Sequence, residues 1–223
     1  MKSRTAAINA LISMIRSAPE PLRKQFAGLT RSRMVAVAAA LRPGCDLTDP
    51  IAGTKIALRR LARRYQHLSQ EIKDADLDLR LMIGQTAPEL LEQPGVGTEV
   101  AAQLLITAGD NPERIRSERS FAALCGVSPI SASSGRTDRH RLNRGGDRGA
   151  NFALHMTALS RLRTDERTRA YAERRRAQGL SHLEIMRCLK RYIAREMFAL
   201  IRAALKVRNS VPPPLIEDLT LAV

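Results

Sequence analysis

The sequence predicts an all-α protein in two parts: a long, coiled-coil-like helical arm, then a compact helical domain with a helix-hairpin-helix element. Three observations predict it. Leu58, Leu61, Tyr65, Leu68, Ile72, Ala75, Leu79 and Met82 recur at alternating spacings of three and four, which is a heptad seam. Pro94, Gly95, Val96 and Gly97 form a turn between two short helical patterns. Ile185, Leu189, Ile193, Met197, Ile201 and Leu205 share one helix face, behind a Ser181–Glu184 capping box. The arm is set at residues 1–86, the compact domain at 87–208 and a flexible tail at 209–223.

In chain order, Ile8, Leu11, Ile12 and Ile15 make the first apolar stripe, which Pro19 and Pro21 interrupt. Leu22, Phe26 and Leu29 resume it. Thr30 is placed to cap an Ala/Val-rich helix that stops at Arg42, Pro43 and Gly44. Asp49 followed by Pro50 reads as an N-cap and first helical position, so the long helix with the seam begins there. The seam needs a partner: either the preceding helices folded back on it, or a second copy of the chain. After Gly84 the pattern shortens. Ser117 caps a helix through Phe121 and Leu124, Asp147 caps another with Phe152, Ala153, Met156, Leu159 and Leu162 as its stripe, and Gly179 ends an arginine-dense stretch around Tyr171.

Charge narrows the function. Lys and Arg number 37 against 22 Asp and Glu, a net +15, which makes nucleic acid the leading partner. Aromatic residues are 3% with no Trp, so stacking platforms are few and phosphate contacts are the better expectation. Cys45, Cys125 and Cys188 are odd in number and far apart, which fits core residues in a reducing cytoplasm rather than a disulfide framework or a zinc site. No apolar run approaches a membrane span, so no membrane partner is expected.

Two stretches carry candidate chemistry. The turn at Gly95, Gly97 and Thr98 can offer backbone N–H groups to a DNA phosphate at a helix N-terminus, although an ordinary tight turn reads the same way. The second stretch runs from Ser133, Ser134 and Gly135 into Arg136, Arg139, Arg141, Arg144 and Arg148. Forked guanidinium groups bind phosphate bidentately and stabilise developing charge, so a serine among them becomes a candidate nucleophile, although residues 127–135, with four serines in nine, read in isolation as a flexible polar linker. His140 is the nearest proton acceptor, yet a lone His in a basic loop is ordinarily a solvated bystander. The arginines of 161–176 read in part as a solvated helix face.

Taken in order, Pro94–Gly97, Phe121–Pro129, Ser133–Gly135, His140–Arg148 and Ile185–Arg195 resemble the C-terminal transposase domain of the insertion-sequence 110/116/902 family. The residues before Pro94 are similar to the helical arm preceding that domain. The resemblance implies DNA strand cleavage and transfer during movement of a mobile element, with Ser134 as the attacking serine and Ser133 one residue away as the fallback. It further implies an N-terminal acidic nuclease domain holding magnesium, an element-encoded guide RNA, and assembly into oligomers. Asn151 stands where many members carry an arginine. No segment before Pro94 shows spaced carboxylates in a strand-rich pattern, so a truncated or remnant transposase is expected, with no cofactor held by this chain alone and Mg2+ only alongside the acidic domain. Two other readings compete: a non-catalytic basic helical DNA- or RNA-binding protein, and an oligomerisation factor acting through the Leu58–Met82 seam.

Overall fold

The computed structural model describes residues 1–44, 46, 48–109, 115–132, 140–141 and 143–210, the last four without their side chains. Its helices are α1 (Lys2–Ser17), α2 (Glu20–Phe26), α3 (Arg31–Ala40), α4 (Pro50–Thr86), α5 (Pro88–Leu91), α6 (Thr98–Ala108), α7 (Glu118–Leu124), α8 (Arg148–Thr164), α9 (Glu166–Ala177) and α10 (His182–Ser210). Two short strands, β1 (Ile130–Ser131) and β2 (His140–Arg141), pair antiparallel. The fold is all-α in class. Packing divides the chain between Leu77 and Asp78, within α4.

The first unit is built on α1 to α4. Ile8, Leu11 and Ile15 of α1, Phe26 of α2, Val35 and Ala38 of α3, and Leu58 and Ala62 of α4 bury together. The start of α4 follows from its sequence, because the Asp49 carboxylate accepts from the Ile51 N–H at 2.9 Å and Pro50 needs no donor. The seam finds intramolecular partners over Leu58–Tyr65, where Leu61 and Tyr65 pack against this core. Lower down the seam is uneven: Ala75 is exposed and Met82 is 63% exposed, while Leu79 packs against the core of the second unit and the neighbouring Ile83 is buried in it. A seven-residue repeat drifts about 20° per heptad on a straight α-helix. Without supercoiling, a seam that starts at Leu58 has rotated off its face by Met82.

The second unit is organised around α10. Ile185, Leu189, Ile193, Met197, Ile201 and Leu205 are all buried, so the predicted face is the observed one. The helix opens as its sequence dictates: the Glu184 carboxylate accepts from the Ser181 N–H at 2.9 Å, and the Glu184 N–H donates to the Ser181 hydroxyl at 3.4 Å. Helices α7, α8, α9 and α5 pack on α10, and α6 packs on α8. Phe121 of α7 meets Phe198 of α10 with ring centroids 6.0 Å apart.

Helix α8 corrects one expectation. Its buried face is Ala150, Ala153, Leu154, Thr157, Ala158 and Arg161, whereas Phe152 and Met156 of the predicted stripe are exposed. Small side chains let α8 approach its neighbours closely; a Cβ on Gly149 would stand 2.6 Å from the Gln103 side chain of α6. Close approach rather than apolar size selects this face.

Candidate nucleic-acid interface

The glycine turn joins α5 to α6. Gly95 has φ +75°, and a Cβ there would lie 3.0 Å from Ser160 Cβ and 3.1 Å from the Thr157 carbonyl of α8, so conformation and space both require glycine. Gly97 is the N-cap of α6 and is exposed; a Cβ added there would meet nothing within 4 Å. Thr98 is buried. Behind the turn, the Arg161 Nε donates to the Pro94 carbonyl at 2.8 Å while its Nη1 pairs with Glu196 at 2.6 Å. Arg161 is itself buried, and one of its guanidinium nitrogens, Nη2, is buried without an acceptor among the described residues.

At the other end of α8, two glycine segments lock into each other. A Cβ on Gly146 (φ +89°) would stand 2.5 Å from the Gly126 amide nitrogen and 2.6 Å from the Leu124 carbonyl; one on Gly126 (φ +64°) would stand 2.4 Å from the Gly145 carbonyl. The end of α7 thus lies directly on the lead-in to α8. Asp147 fastens the joint: its N–H donates to the Leu124 carbonyl at 2.7 Å, and its carboxylate accepts from the Gly149 and Ala150 N–H groups and from the Thr107 hydroxyl of α6 at 2.6 Å. The Thr107 hydroxyl and these backbone donors hold its carboxyl below the usual carboxylate range. Asn151 donates from Nδ2 to the carbonyls of Cys125 and Gly126, at 3.1 and 3.0 Å, and its Oδ1 accepts from the Lys190 ammonium of α10 at 2.9 Å. Lys190 is buried, and that burial followed by the Arg187 charge lowers its pKa. Burial and then the Asp147 charge push the Cys125 thiol up to about 12, which makes it an unreactive core residue.

The strands sit beside this joint. Ile130 faces Arg141 and Ser131 faces His140, so a two-residue ladder joins the chain on either side of the serine-bearing segment. Below the ladder opens a cavity of about 830 Å³, reached by Pro129, His140, Arg141 and Asn143 on one side and by residues of α9 and α10 on the other. Arg174 and Arg175 of α9 and Arg187, Lys190 and Arg191 of α10 line it with Tyr171 and Tyr192. The two tyrosine rings meet edge to face with centroids 5.5 Å apart, and the Arg174 guanidinium lies 5.5 Å from the Tyr171 ring centre.

Of the predicted site residues, Arg141 lines this cavity, and Arg144 and Arg141 line a smaller cleft with Ile130, Asn143 and Gly145. Arg148 is exposed at the first position of α8. Ser133, Ser134, Gly135, Arg136 and Arg139 lie outside the described residues. The glycine turn meets α8 near Thr157 and Ser160, while the basic lead-in joins it at Asp147, so the two regions are separated by roughly 15 Å along the helix. Tyr192 and Lys190 line the cavity without having been given a role by sequence reasoning, and Asn151, singled out there only as a departure from an arginine, holds Lys190. Lys190 had one available signal, a cation inside an otherwise apolar i, i+4 face. Among the described residues no group of three or more His, Cys, Asp or Glu could hold a metal ion, and no helix is long and apolar enough to cross a membrane.

Comparison with known proteins places these residues in context. Residues 87–173 match the model of the family described as Transposase IS116/IS110/IS902. The chain is 30% identical over 148 residues to the insertion element IS110 uncharacterized 43.6 kDa protein of Streptomyces coelicolor, an alignment covering 66% of this chain and 36% of that protein. It is 28% identical over 187 residues to the insertion element IS900 uncharacterized 42 kDa protein of Mycobacterium paratuberculosis, covering 81% of this chain and 46% of that protein. The chain therefore spans less than half the length of either relative.

Proposed function

We propose, from the premise that residues 87–173 are a domain of the IS116/IS110/IS902 transposase family, that this chain is the DNA-binding, serine-bearing portion of an insertion-element transposase. The observation that supports the proposal is the β1–β2 ladder, whose residues flank residues 133–139 in sequence and whose His140 and Arg141 line a cavity rich in arginine and lysine. In this reading Ser134 is the nucleophile. Its hydroxyl loses a proton, its oxygen bonds to phosphorus, and the bond from phosphorus to a deoxyribose oxygen breaks, that oxygen taking up a proton. One phosphodiester replaces another, so no external energy source is needed, and arginines stabilise the extra negative charge at phosphorus.

The glycine turn is the second DNA contact, a helix-hairpin-helix grip centred on Gly97, with Gly95 serving to seat the turn on α8. Magnesium is expected only together with an acidic nuclease domain. Guide RNA and self-association complete the proposal, although the upper part of the Leu58–Met82 seam is occupied within the chain, where Leu58 is buried and Leu61 and Tyr65 pack against the α1–α4 core. The test compares wild-type protein with Ser134→Ala on duplex DNA, with magnesium and with the family's acidic domain added separately. Equal DNA affinity with a covalent protein–DNA adduct formed by the wild type alone is the expected result. Absence of an adduct from the wild type under these conditions removes the catalytic role and leaves a DNA- or RNA-binding protein. Retention of the adduct in Ser134→Ala and its loss in Ser133→Ala moves the role to Ser133.

A further inference from the structure

We infer that the cavity between the strand ladder, α9 and α10 is a binding pocket for one unpaired nucleotide, its phosphate held by cations and its base set against Tyr171 and Tyr192. The inference deepens the DNA-binding reading above and rests on it for the identity of the strand. Three observations lead to it.

The first is charge. Among the described residues, six cationic side chains line the cavity and one carboxylate, Glu184. Arg191 is matched by Glu118 at 2.7 Å, and Arg187 lies 3.9 Å from Glu184. Arg141, Arg174, Arg175 and Lys190 have no ion-pair partner among the described residues, and Arg175 Nε is buried without an acceptor. Four unmatched cations around one concavity raise the local potential and call for an anion with several acceptor oxygens, which a phosphate is.

The second is aromatic content. The whole chain has three tyrosines and no tryptophan, yet two of the three line this one cavity. Tyr171 is fixed by Tyr192 and by Arg174, so it offers a positioned ring rather than a mobile one. Tyr192 is 50% exposed and leaves a face for a further ring. A planar base fits that demand, whereas a bare inorganic anion leaves it unused.

The third is shape. About 830 Å³ lies within the range of small-molecule pockets, roughly 300–1,000 Å³. A base inside a duplex is stacked on both sides and cannot reach tyrosines within a concavity; an unstacked base can. Lys190 is positioned for the task by Asn151, which holds the ammonium to the carbonyl end of α7 and so to the ladder's base.

The experiment measures binding of the full chain to a short single-stranded oligodeoxynucleotide carrying one 2-aminopurine, to the oligoribonucleotide of the same sequence, and to the matching duplex. Tyr192→Leu and Arg174→Gln are compared with wild type, with circular dichroism verifying the fold of each. The expected result is a loss of about tenfold or more in single-strand affinity for each variant, with the change in 2-aminopurine emission abolished and a distinctly smaller loss on the duplex. The better-bound single strand names the source as DNA or RNA. Unchanged single-strand affinity in both folded variants overturns the pocket, as does an equal loss on single strand and duplex, which would mark only a general basic surface. If wild type binds the single strand through Tyr192 but ignores the duplex, the pocket stands and the duplex-gripping function proposed above fails.

Discussion

Gly146 is the residue on which the junction between α7 and α8 depends. Its φ of +89° excludes ordinary side chains, and a methyl group would overlap the Gly126 nitrogen and two α7 carbonyls. Gly146→Ala should therefore destabilise the protein by roughly 2–4 kcal/mol, read as a shift in the urea midpoint at unchanged slope. Gly97→Ala provides the control, since open space surrounds that position and its φ is −95°. The sequence marks both residues simply as glycines; their difference comes from the tertiary neighbour that each does or does not meet. Asn151 illustrates the same point. As a departure from a family arginine it looked like a lost contact, but in the fold its amide caps α7 and anchors Lys190.

At the scale of elements, α7 is tied to α10 by one carboxylate. Glu118 accepts from Arg195 and Arg191, which lower its pKa to about 2 from an ordinary 4.5. A depressed folded-state pKa means that Glu118 contributes stability in full above about pH 4.5 and loses it as pH falls towards 2. Glu118→Gln should flatten the acid limb of the stability curve between those values while lowering stability at neutral pH, measured by denaturation across a pH series. The helices themselves were largely legible: Asp49, Ser117, Asp147 and Ser181 all start helices where they stand, because caps act within one turn. The faces were less so. Ile185 to Leu205 gave the right stripe for α10, since large aliphatics there fill a wide core, but α8 buries alanines and threonine against close neighbours and exposes Phe152 and Met156. A reading by hydrophobicity follows the larger side chains, whereas helix proximity favours the smaller ones. The cavity was the least legible feature, because Arg141, Arg174 and Tyr192 come from three separate elements.

For the whole molecule, the proposed DNA-binding reading predicts a salt dependence that counts the phosphates neutralised by the chain's cations. Each neutralised phosphate contributes a slope of about 0.9 in a plot of log affinity against log salt. The Arg144→Gln, Arg148→Gln double variant should reduce that slope by about two on duplex DNA and lower affinity uniformly across sequences, as a pair of backbone contacts would; an unchanged slope would place both arginines outside the interface. Distribution of aromatic residues over the chain has a separate consequence. With no tryptophan to drain excitation by energy transfer, ultraviolet emission comes from Tyr65, Tyr171 and Tyr192, and the last two border one cavity. The unlabelled protein thus carries its own optical gauge of that cavity, with Tyr65 as the internal reference.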